Sequence, residues 1–534
     1  MNIIKKIVCL LVCAVLTFMT SACKNRTPVP QDEIIYYMIS TEPETLDPQI
    51  ANDSASKMII MNIFEGLVRI DENEDPIPGA AESWDISEGG TVYTFHLRKD
   101  AHWSNGDSVT AEDFLFGLQR TIHPQTGSTS AGTLFSIRNA QAVNSGQADI
   151  SKLGVYVLDD FTLKIELDDN YPGFLPLLAT APAMPCHREF FEQTGGQYGR
   201  ESRKLISNGA FYIRESGWEH GEYINLRRNG EYSGESEPIP AGVNIEISER
   251  PENVCGAILS GKTDCYALPA AELKSAQENK FHITSFGDTV WGIAFNTQND
   301  ILKSPDVRKA LLSALDRKYI LKELPEGCTV TNEIIPEGAQ LNGISYRKSA
   351  GSVMNISYSD KSSDALKKAL KKLNADSLPK LSILCTDDEP TQKIVNNIIE
   401  TWNSITGNYI NKTPVSRSEL NDMIITGEYR VVVAPLISDG ESPVDTLELF
   451  RSDSKYNIAQ LTDVAYDKLL NNIQLKRTSV DKVISAEKYL CDNGIFYPLY
   501  LESRYYACAS NVTGIIFHPY GAEVDFFSAA KVRQ

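Results

Sequence analysis

The sequence is poor in positive charge. Its 534 residues include 51 Lys and Arg against 70 Asp and Glu, which gives a formal net charge of -19. Proteins that hold nucleic acid neutralise its phosphates with clustered Lys and Arg, so this balance argues against a nucleic-acid partner. An acidic surface instead favours solubility.

Motifs of catalysis and metal binding are also missing. The chain contains no G-x-S-x-G, no H-E-x-x-H and no phosphate-binding glycine loop. Its seven histidines are dispersed, without metal-ligand spacing between any two. The sequence therefore predicts a protein that is not an enzyme and that needs no metal or organic cofactor.

One acidic stretch, DENEDP, imitates a calcium loop. It places Asp71, Asn73 and Asp75 at alternate positions, with Glu82 eleven residues after Asp71. An EF-hand loop requires glycine where Pro76 stands, and a helix pattern before it, which is absent. An ordinary acidic turn is expected here.

Long apolar runs are absent except at the amino terminus. Lys5 and Lys6 precede IVCLLVCAVLTFM, and the small residues TSAC end at Cys23. This pattern predicts a secretory signal peptide over residues 1–22, too short to span a membrane. The polar residues that follow predict a flexible tether over 23–33.

The cysteine at the cleavage point resembles a bacterial lipobox. That resemblance implies that Cys23 becomes the lipidated first residue, although Thr20 stands where the lipobox usually has Leu. An ordinary signal peptide with an incidental cysteine is the alternative. The remaining cysteines form no C-x-x-C pair, which predicts neither zinc nor a redox site; a disulfide between Cys255 and Cys265 is left open.

Hydrophobic periodicity predicts a mixed α/β chain. In TVYTFHLR the side chains of Tyr93, Phe95 and Leu97 share one face, which is typical of a half-buried strand. In VTAEDF, Thr110 and Asp113 have capping-box spacing and predict a helix start. In the second half WGIAFNTQ, KLSILCT and YRVVVAPLI alternate with helical segments, which indicates an α/β sheet. The length predicts at least two domains.

Several longer stretches follow one another in a recognisable order. They are IFEGLVRI, PGAAESWDISEGGTVYTFHLRKDAHWSNGDSVTAEDF, NGAFYI, AILSGKTDCYALP and WGIAFNTQNDILKSPDVRKALLSALDRKYI. Together they resemble the extracytoplasmic solute-binding proteins of family 5, the oligopeptide- and dipeptide-binding proteins of ABC importers. The resemblance runs from about residue 34 to the carboxyl terminus.

This resemblance implies a periplasmic-binding-protein-like type II fold of the α/β class. Two lobes grip the ligand and an extra domain enlarges the cleft, the architecture called cluster C. Carried onto this chain, residues 34–64, 187–288 and 514–534 form a discontinuous first lobe. Residues 65–186 form the extra domain, and residues 289–513 form the second lobe.

The resemblance also implies a ligand-binding strand and an anchoring carboxylate. Family members pair a strand with the peptide backbone, and an Asp in the motif A-D-Y-x-x-P receives the α-ammonium group. Here Asp439 and Pro443 match that motif, while Gly440 replaces the aromatic residue. The preceding strand includes Pro435, which has no N–H to donate, and Ile437. The alternative for Asp439 is a simple turn residue.

Two further segments complete the implied site. Asn52, Asp53 and Ser54 match the loop that contacts the ligand backbone, and the alternative is a polar loop that caps the next helix. Trp291 opens the second lobe and is expected either in the cleft wall or in the core.

The predicted function is capture of peptides for import. The protein would deliver its ligand to ABC permease and ATPase subunits, as a monomer held by the lipid on Cys23 at the extracytoplasmic face of the cell membrane. Two alternatives stay open: a non-peptide solute such as a nickel chelate or a sugar, and a ligand sensor without transport.

Overall fold

The computed structural model describes residues 34–171, 173–341, 344–407, 410–437, 442–473, 479–518 and 524–532. None of the helices in these ranges combines the length and apolarity needed to cross a bilayer.

The strands, in chain order, are β1 (Ile34–Ile39), β2 (Val68–Ile70), β3 (Pro76–Pro78), β4 (Ala81–Ile86), β5 (Val92–Leu97), β6 (Val155–Asp159), β7 (Thr162–Glu166), β8 (Phe211–Glu219), β9 (Tyr223–Arg228), β10 (Gly242–Ile247), β11 (Cys265–Leu268), β12 (His282–Phe295), β13 (Cys328–Val330), β14 (Gln340–Leu341), β15 (Ile344–Ser345), β16 (Ser382–Thr386), β17 (Asn411–Val415), β18 (Val431–Leu436), β19 (Phe496–Cys508), β20 (Val512–Thr513), β21 (Ile516–Phe517), β22 (Val524–Asp525) and β23 (Ala530–Lys531).

The α-helices are α1 (Ser54–Ile63), α2 (Ala111–Ile122), α3 (Ala140–Asn144), α4 (Phe174–Leu177), α5 (Arg188–Gln193), α6 (Val254–Leu259), α7 (Leu273–Glu278), α8 (Pro305–Ser313), α9 (Arg317–Ile320), α10 (Tyr346–Ala350), α11 (Ser362–Lys372), α12 (Glu389–Thr406), α13 (Arg417–Thr426), α14 (Pro443–Glu448), α15 (Val464–Ile473) and α16 (Val480–Asp492).

Three larger sheets organise the chain. One has the order β1-β10-β9-β8, and a second, antiparallel, has the order β4-β5-β7-β6. The third runs β11-β19-β12-β18-β16-β17, with β13 paired to β19. The two long strands β12 and β19 are antiparallel partners along almost their whole length. They therefore lie side by side within the third sheet, with β11 next to β19 and the parallel strands β16–β18 beyond β12.

The hydrophobic cores group these sheets into two bodies. One large cluster joins both four-stranded sheets, so Ile35 of β1 and Phe95 of β5 belong to one core. Two other clusters cover the third sheet, one containing Val432 and one containing Val433 of β18. Alternate residues of a strand point to opposite faces, so β18 is buried on both sides, as expected of a strand in an α/β sheet.

Several elements form as the sequence predicted. Tyr93, Phe95 and Leu97 are buried on β5. The N–H of Thr110 donates to the carboxylate of Asp113 at 2.8 Å, which closes the capping box of α2. The strands β16 and β18 are parallel, and the connection between them contains α12, β17 and α13.

The helix predicted through KMIIMNIFEGL ends earlier than expected. α1 stops at Ile63, and FEGL lies outside it. Tertiary hydrogen bonds explain the difference. The carbonyl of Ile63 accepts from Gly209 N at 2.8 Å, and Glu65 N donates to Asn208 Oδ1 at 3.1 Å, so these groups are not available to a further helical turn.

Candidate functional site

The loop before α1 is built around a helix cap. Asp53 is the cap residue, and its carboxylate accepts from Ser56 N at 2.8 Å. Asn52 and Ser54 on either side are exposed. The capping interpretation of this loop is therefore confirmed. Because capping occupies the Asp53 side chain, a ligand would meet mainly backbone groups and the side chains of Asn52 and Ser54.

A buried ion pair fixes the start of this loop. Arg120 of α2 donates to both carboxylate oxygens of Asp47, at 3.1 and 2.7 Å, and to Gln49 Oε1 at 2.6 Å. The two charged side chains are 9% and 4% exposed. The guanidinium also lies 3.8 Å from the ring centroid of Phe191. The loop that leads to Asn52–Ser54 is thus held by a residue of the β4–β7 region.

The carboxyl end of β18 has an open edge. On one side β18 pairs with β12 from Val431 to Leu436. On the other side the described pairs with β16 involve only Val431 and Val432. Ile437, directly after the strand, is 50% exposed. This edge offers backbone groups to a further strand.

The hydrogen-bonding register shows which groups point to that edge. Asn296 N donates to Arg430 O at 2.9 Å, and the same register pairs Trp291 with Pro435. Bonded and non-bonded pairs alternate between antiparallel strands. Five residues after Arg430, Pro435 therefore falls at a non-bonded pair, and its backbone groups point away from β12. The carbonyl of Pro435 is available there, but no N–H is.

Trp291 lies beside this edge as a packed residue. It is 5% exposed, and its ring stacks on Tyr500 with a centroid distance of 5.6 Å. Its Nε1 donates to Glu502 at 2.6 Å. The exposed guanidinium of Arg417 lies 5.6 Å from the indole centroid. Trp291 thus supports Arg417 and belongs to the core of the third sheet; contact with a ligand stays a prediction.

The register brings some of the predicted site residues together. Trp291 is opposite Pro435, and Ile437 follows two residues later. Asn52–Ser54 belong to another element, whose described contacts run to Ser56 and Glu44. Asp439 and Cys23 lie outside the described residues, as does Gly440.

The sequence did not indicate that Arg417 and Glu502 lie beside Trp291. They reach Trp291 from positions 126 and 211 residues further along the chain. Neither belongs to a local pattern: Arg417 is the first residue of α13, and Glu502 lies in the middle of β19. Only an alignment that pairs distant positions would reveal such a signal.

The acidic stretch DENEDP forms the turn between β2 and β3. The carboxylate of Asp71 accepts from Asn73 N at 2.8 Å and from Asp75 N at 2.9 Å. Glu74 turns away to pair with His518. In the ranges that the structure describes, no group of three or more His, Cys, Asp or Glu side chains is arranged to hold a metal ion.

A small polar pocket lies where α1 meets the carboxyl-terminal strands. It is lined among others by Glu65, Arg69, Tyr232 and Asp525. Tyr232 donates to Glu65 at 2.9 Å, and Arg69 pairs with Asp525 at 3.0 Å. Burial raises the pKa of Glu65 to about 6, against the opposing effect of Arg69. This carboxyl group is therefore a source of pH-dependent stability.

We expect the Glu65→Gln variant to lose part of the pH dependence. The folded protein keeps a proton on Glu65 up to about pH 6, whereas the ordinary value is 4.5. The resulting stabilisation is complete below the unfolded pKa and is lost as pH rises through the folded pKa. Relative to the variant, the free energy of unfolding should fall by about 2 kcal/mol from pH 4 to pH 7.

Urea unfolding at several pH values measures this difference. The exposed Glu88→Gln change is the matched control and should leave the pH dependence unaltered. A constant difference between wild type and Glu65→Gln over the whole range would contradict the assignment.

The chain is similar in sequence to known proteins. Residues 75–457 match the sequence profile of the bacterial extracellular solute-binding proteins, family 5 middle. The oligopeptide-binding protein OppA of Bacillus subtilis is 29% identical over 514 residues, which cover 92% of this chain and 91% of OppA. The probable deoxycholate-binding periplasmic protein YgiS of Escherichia coli is 30% identical over 303 residues, 56% of each chain.

A solved structure confirms the fold class. The substrate-binding domain of an oligopeptide ABC transporter from Bacillus anthracis aligns with a TM-score of 0.69 and 27% identity. The alignment covers 95% of this chain and 100% of that one. The predicted α/β, periplasmic-binding-protein-like type II fold is therefore confirmed.

Proposed function

This chain belongs to the bacterial extracellular solute-binding proteins of family 5, and we propose that it captures peptides between two lobes for delivery to an ABC importer. One observation carries the proposal: the open edge of β18, which ends at the exposed Ile437. An extended peptide adds to such an edge through its backbone, which gives affinity without selecting side chains. Asp439, two residues beyond Ile437, would receive the peptide's α-ammonium group.

Besides Asp439, three groups would hold the ligand in this proposal. Pro435 and Ile437 offer their outward backbone groups, and Asn52–Ser54 contact the peptide from the first lobe. Arg417, supported by Trp291, places an exposed positive charge beside the same sheet. The peptide would thus be held by backbone pairing, with its amino end fixed by a carboxylate.

The two bodies of the core would act as the lobes. One core contains described residues from the ranges 34–64, 187–288 and 514–534 together with residues of the proposed extra domain, 65–186. The second lobe begins at about residue 289, beside a β-bulge of β12 between Gly287 and Thr289. Tyr506 and Cys508 pack in the first core, so we place the return crossing within β19 near Glu502, ahead of residue 513. Bending of β12 and β19 there would close the lobes on the ligand.

The remaining parts of the proposal concern location. Residues 1–22 would be removed as a signal peptide, and a lipid on Cys23 would hold the monomer at the extracytoplasmic face of the membrane. Permease and ATPase subunits would be its partners in the membrane. Incorporation of a labelled fatty acid, abolished by Cys23→Ser, tests the anchor; labelling of the variant would refute it.

A non-peptide solute is the second candidate. Two observations favour it: YgiS, with 30% identity over part of the chain, carries the name of a deoxycholate-binding protein, and Pro435 removes one backbone donor from the open edge. A bile acid has a carboxylate but no α-ammonium group, so it would not use Asp439 as proposed.

Calorimetric titration distinguishes the candidates. We expect mixed tri- to pentapeptides to bind with a negative heat-capacity change, because closure of the lobes buries apolar surface. Binding of deoxycholate with no response to any of these peptides would overturn the proposal.

The variant Pro435→Ala should bind peptides more tightly. Alanine restores an N–H that points to the open edge, and a net hydrogen bond contributes about 0.5–1.5 kcal/mol. We therefore expect the dissociation constant for a fixed tripeptide to fall about 2- to 10-fold by calorimetry.

Pro414→Ala is the matched control for that change. Pro414 lies exposed on β17, which is separated from β18 by β16, so its replacement removes a proline without adding a donor to the edge of β18. Equal affinities of wild type and Pro435→Ala would show that the ligand does not pair with β18.

A further inference from the structure

Two cysteines face each other across neighbouring strands. Cys265 begins β11 and Cys508 ends β19, and the two residues are direct partners in the antiparallel register. Burial raises the pKa of Cys265, and the neighbouring Cys508 thiol adds to the rise. Both side chains are buried, with 0% and 5% exposure. The sequence had left open a different pair, Cys255 and Cys265.

The backbone at this pair has the spacing of a disulfide. Ala509 N donates to Asp264 O at 2.8 Å, so Asp264 and Ala509 are a hydrogen-bonded pair. The next pair, Cys265 and Cys508, is then a non-bonded pair, in which α-carbons are about 4.5 Å apart and side chains are closest. Disulfides occur at α-carbon separations of roughly 4.4–6.8 Å. Both residues carry free thiols in this structure, and the strand spacing suits a bond between them.

Other cysteines have different neighbours. Cys186 accepts a contact from Arg120 at 3.3 Å, and Cys255 lies 3.8 Å from the carbonyl of Glu272. Cys385 and Cys491 lie in separate cores on the two faces of the third sheet. Cys255 is therefore not placed to compete for Cys265.

We propose that Cys265 and Cys508 are joined by a disulfide in the mature protein. The inference rests on the proposed location outside the cytoplasm, where disulfides form and persist. Formation of the bond removes two protons and two electrons from the two thiols. A disulfide oxidant, such as oxidised glutathione, takes them up and is released as two thiols.

The bond forms during folding, before the two thiols are buried between β11 and β19. Burial raises the pKa of Cys265 above its ordinary value, so little thiolate is present in the folded protein, and thiolate is the form that attacks a disulfide. Oxidation therefore accompanies folding.

The proposed bond lies near the end of β19, the strand that we place across the two lobes. It closes a loop that contains the whole second lobe and returns on β19. β11 is tied in turn to β1, because Asp264 N donates to Tyr36 O at 2.8 Å and the Asp264 carboxylate accepts from Tyr36 N at 2.7 Å. The first-lobe end of β19 would stay fixed while the other end moves with the second lobe.

Peptide mapping tests the bond directly. The full chain is refolded from urea with oxidised and reduced glutathione, alkylated in urea, and digested without reduction. We expect one linked fragment that contains Cys265 and Cys508, with the other cysteines alkylated. Alkylation of Cys265, or its linkage to any other cysteine, would overturn the proposal. The map needs no ligand, so its result is independent of peptide binding.

Thermal unfolding gives a second readout. A reductant should lower the melting temperature of the oxidised wild type by about 5 °C, since the bond closes a very long loop. The Cys265→Ser/Cys508→Ser variant should show no such shift, and Cys328→Ser, a half-buried cysteine elsewhere, should respond like wild type. Equal responses of wild type and the double variant would contradict the bond.

Discussion

We expect replacement of Asp439 by alanine to weaken the binding of a peptide with a free amino end by about 100-fold. The proposed charge-assisted pair with the α-ammonium group would be lost, and truncation of one partner of an enclosed charge pair costs roughly 2–5 kcal/mol. Calorimetry with an unmodified tripeptide measures the change. The effect should fall on affinity, while the melting temperature without ligand should stay within about 1 °C.

An acetylated peptide completes this test. Acetylation removes the ammonium charge, so wild type should lose about the same factor, and the Asp439→Ala protein should bind both peptides equally. Glu441→Ala removes a neighbouring carboxylate and should leave the affinity near that of wild type. If the acetylated and free peptides bind wild type equally, Asp439 is a turn residue and not an anchor.

We expect replacement of Arg120 by methionine to destabilise the protein by about 3–5 kcal/mol. Asp47 is 4% exposed and would keep a buried charge without its partner. Methionine preserves the packing against Phe191, so the loss reports the charge and not a cavity. Urea unfolding measures the change, and the loop that begins at Asp47 should become more accessible to proteases.

Two further variants identify the cause. Arg120→Met combined with Asp47→Asn removes both charges and should recover more than half of the lost stability. Arg138→Met breaks an ion pair with Glu166 in which the arginine is 45% exposed, and should cost about 0–1 kcal/mol. Equal losses for Arg120→Met and Arg138→Met would show that the buried pair does not stabilise the loop.

Local structure could be predicted because it depends on residues close together in the sequence. The alternation of apolar and polar side chains over five or six residues predicts that Phe95 lies in the core. Thr110 and Asp113 start a helix with groups three positions apart, and Pro305 follows its cap Ser304 at the first helical position. These patterns depend on backbone geometry alone.

Ligand contacts were predicted only where a family motif covers them. The assignment of Asn52–Ser54 and Asp439 rests on resemblance and stays a prediction, while the cap formed by Asp53 followed from residue type. The pair of Arg120 with Asp47 joins positions 73 residues apart, and no periodicity connects them. The same holds for Cys265 opposite Cys508, since the pairing of β11 with β19 depends on the course of the whole second lobe.

The end of α1 shows how tertiary contacts override local preference. The apolar pattern continues past Ile63, yet Gly209 and Asn208 take the hydrogen-bonding groups that a further turn would use. Such contacts come from the segment just before β8, more than 140 residues later in the chain. Local sequence therefore indicates the helix but not its last residue.

Mass spectrometry of the bound ligand tests the central claim most directly. The full chain is purified without denaturant from cells that produce it, and the small molecules released on unfolding are identified. The account predicts a mixture of short peptides with free amino ends. A single non-peptide compound, such as a bile acid, would leave the fold unchanged and would contradict the proposed function.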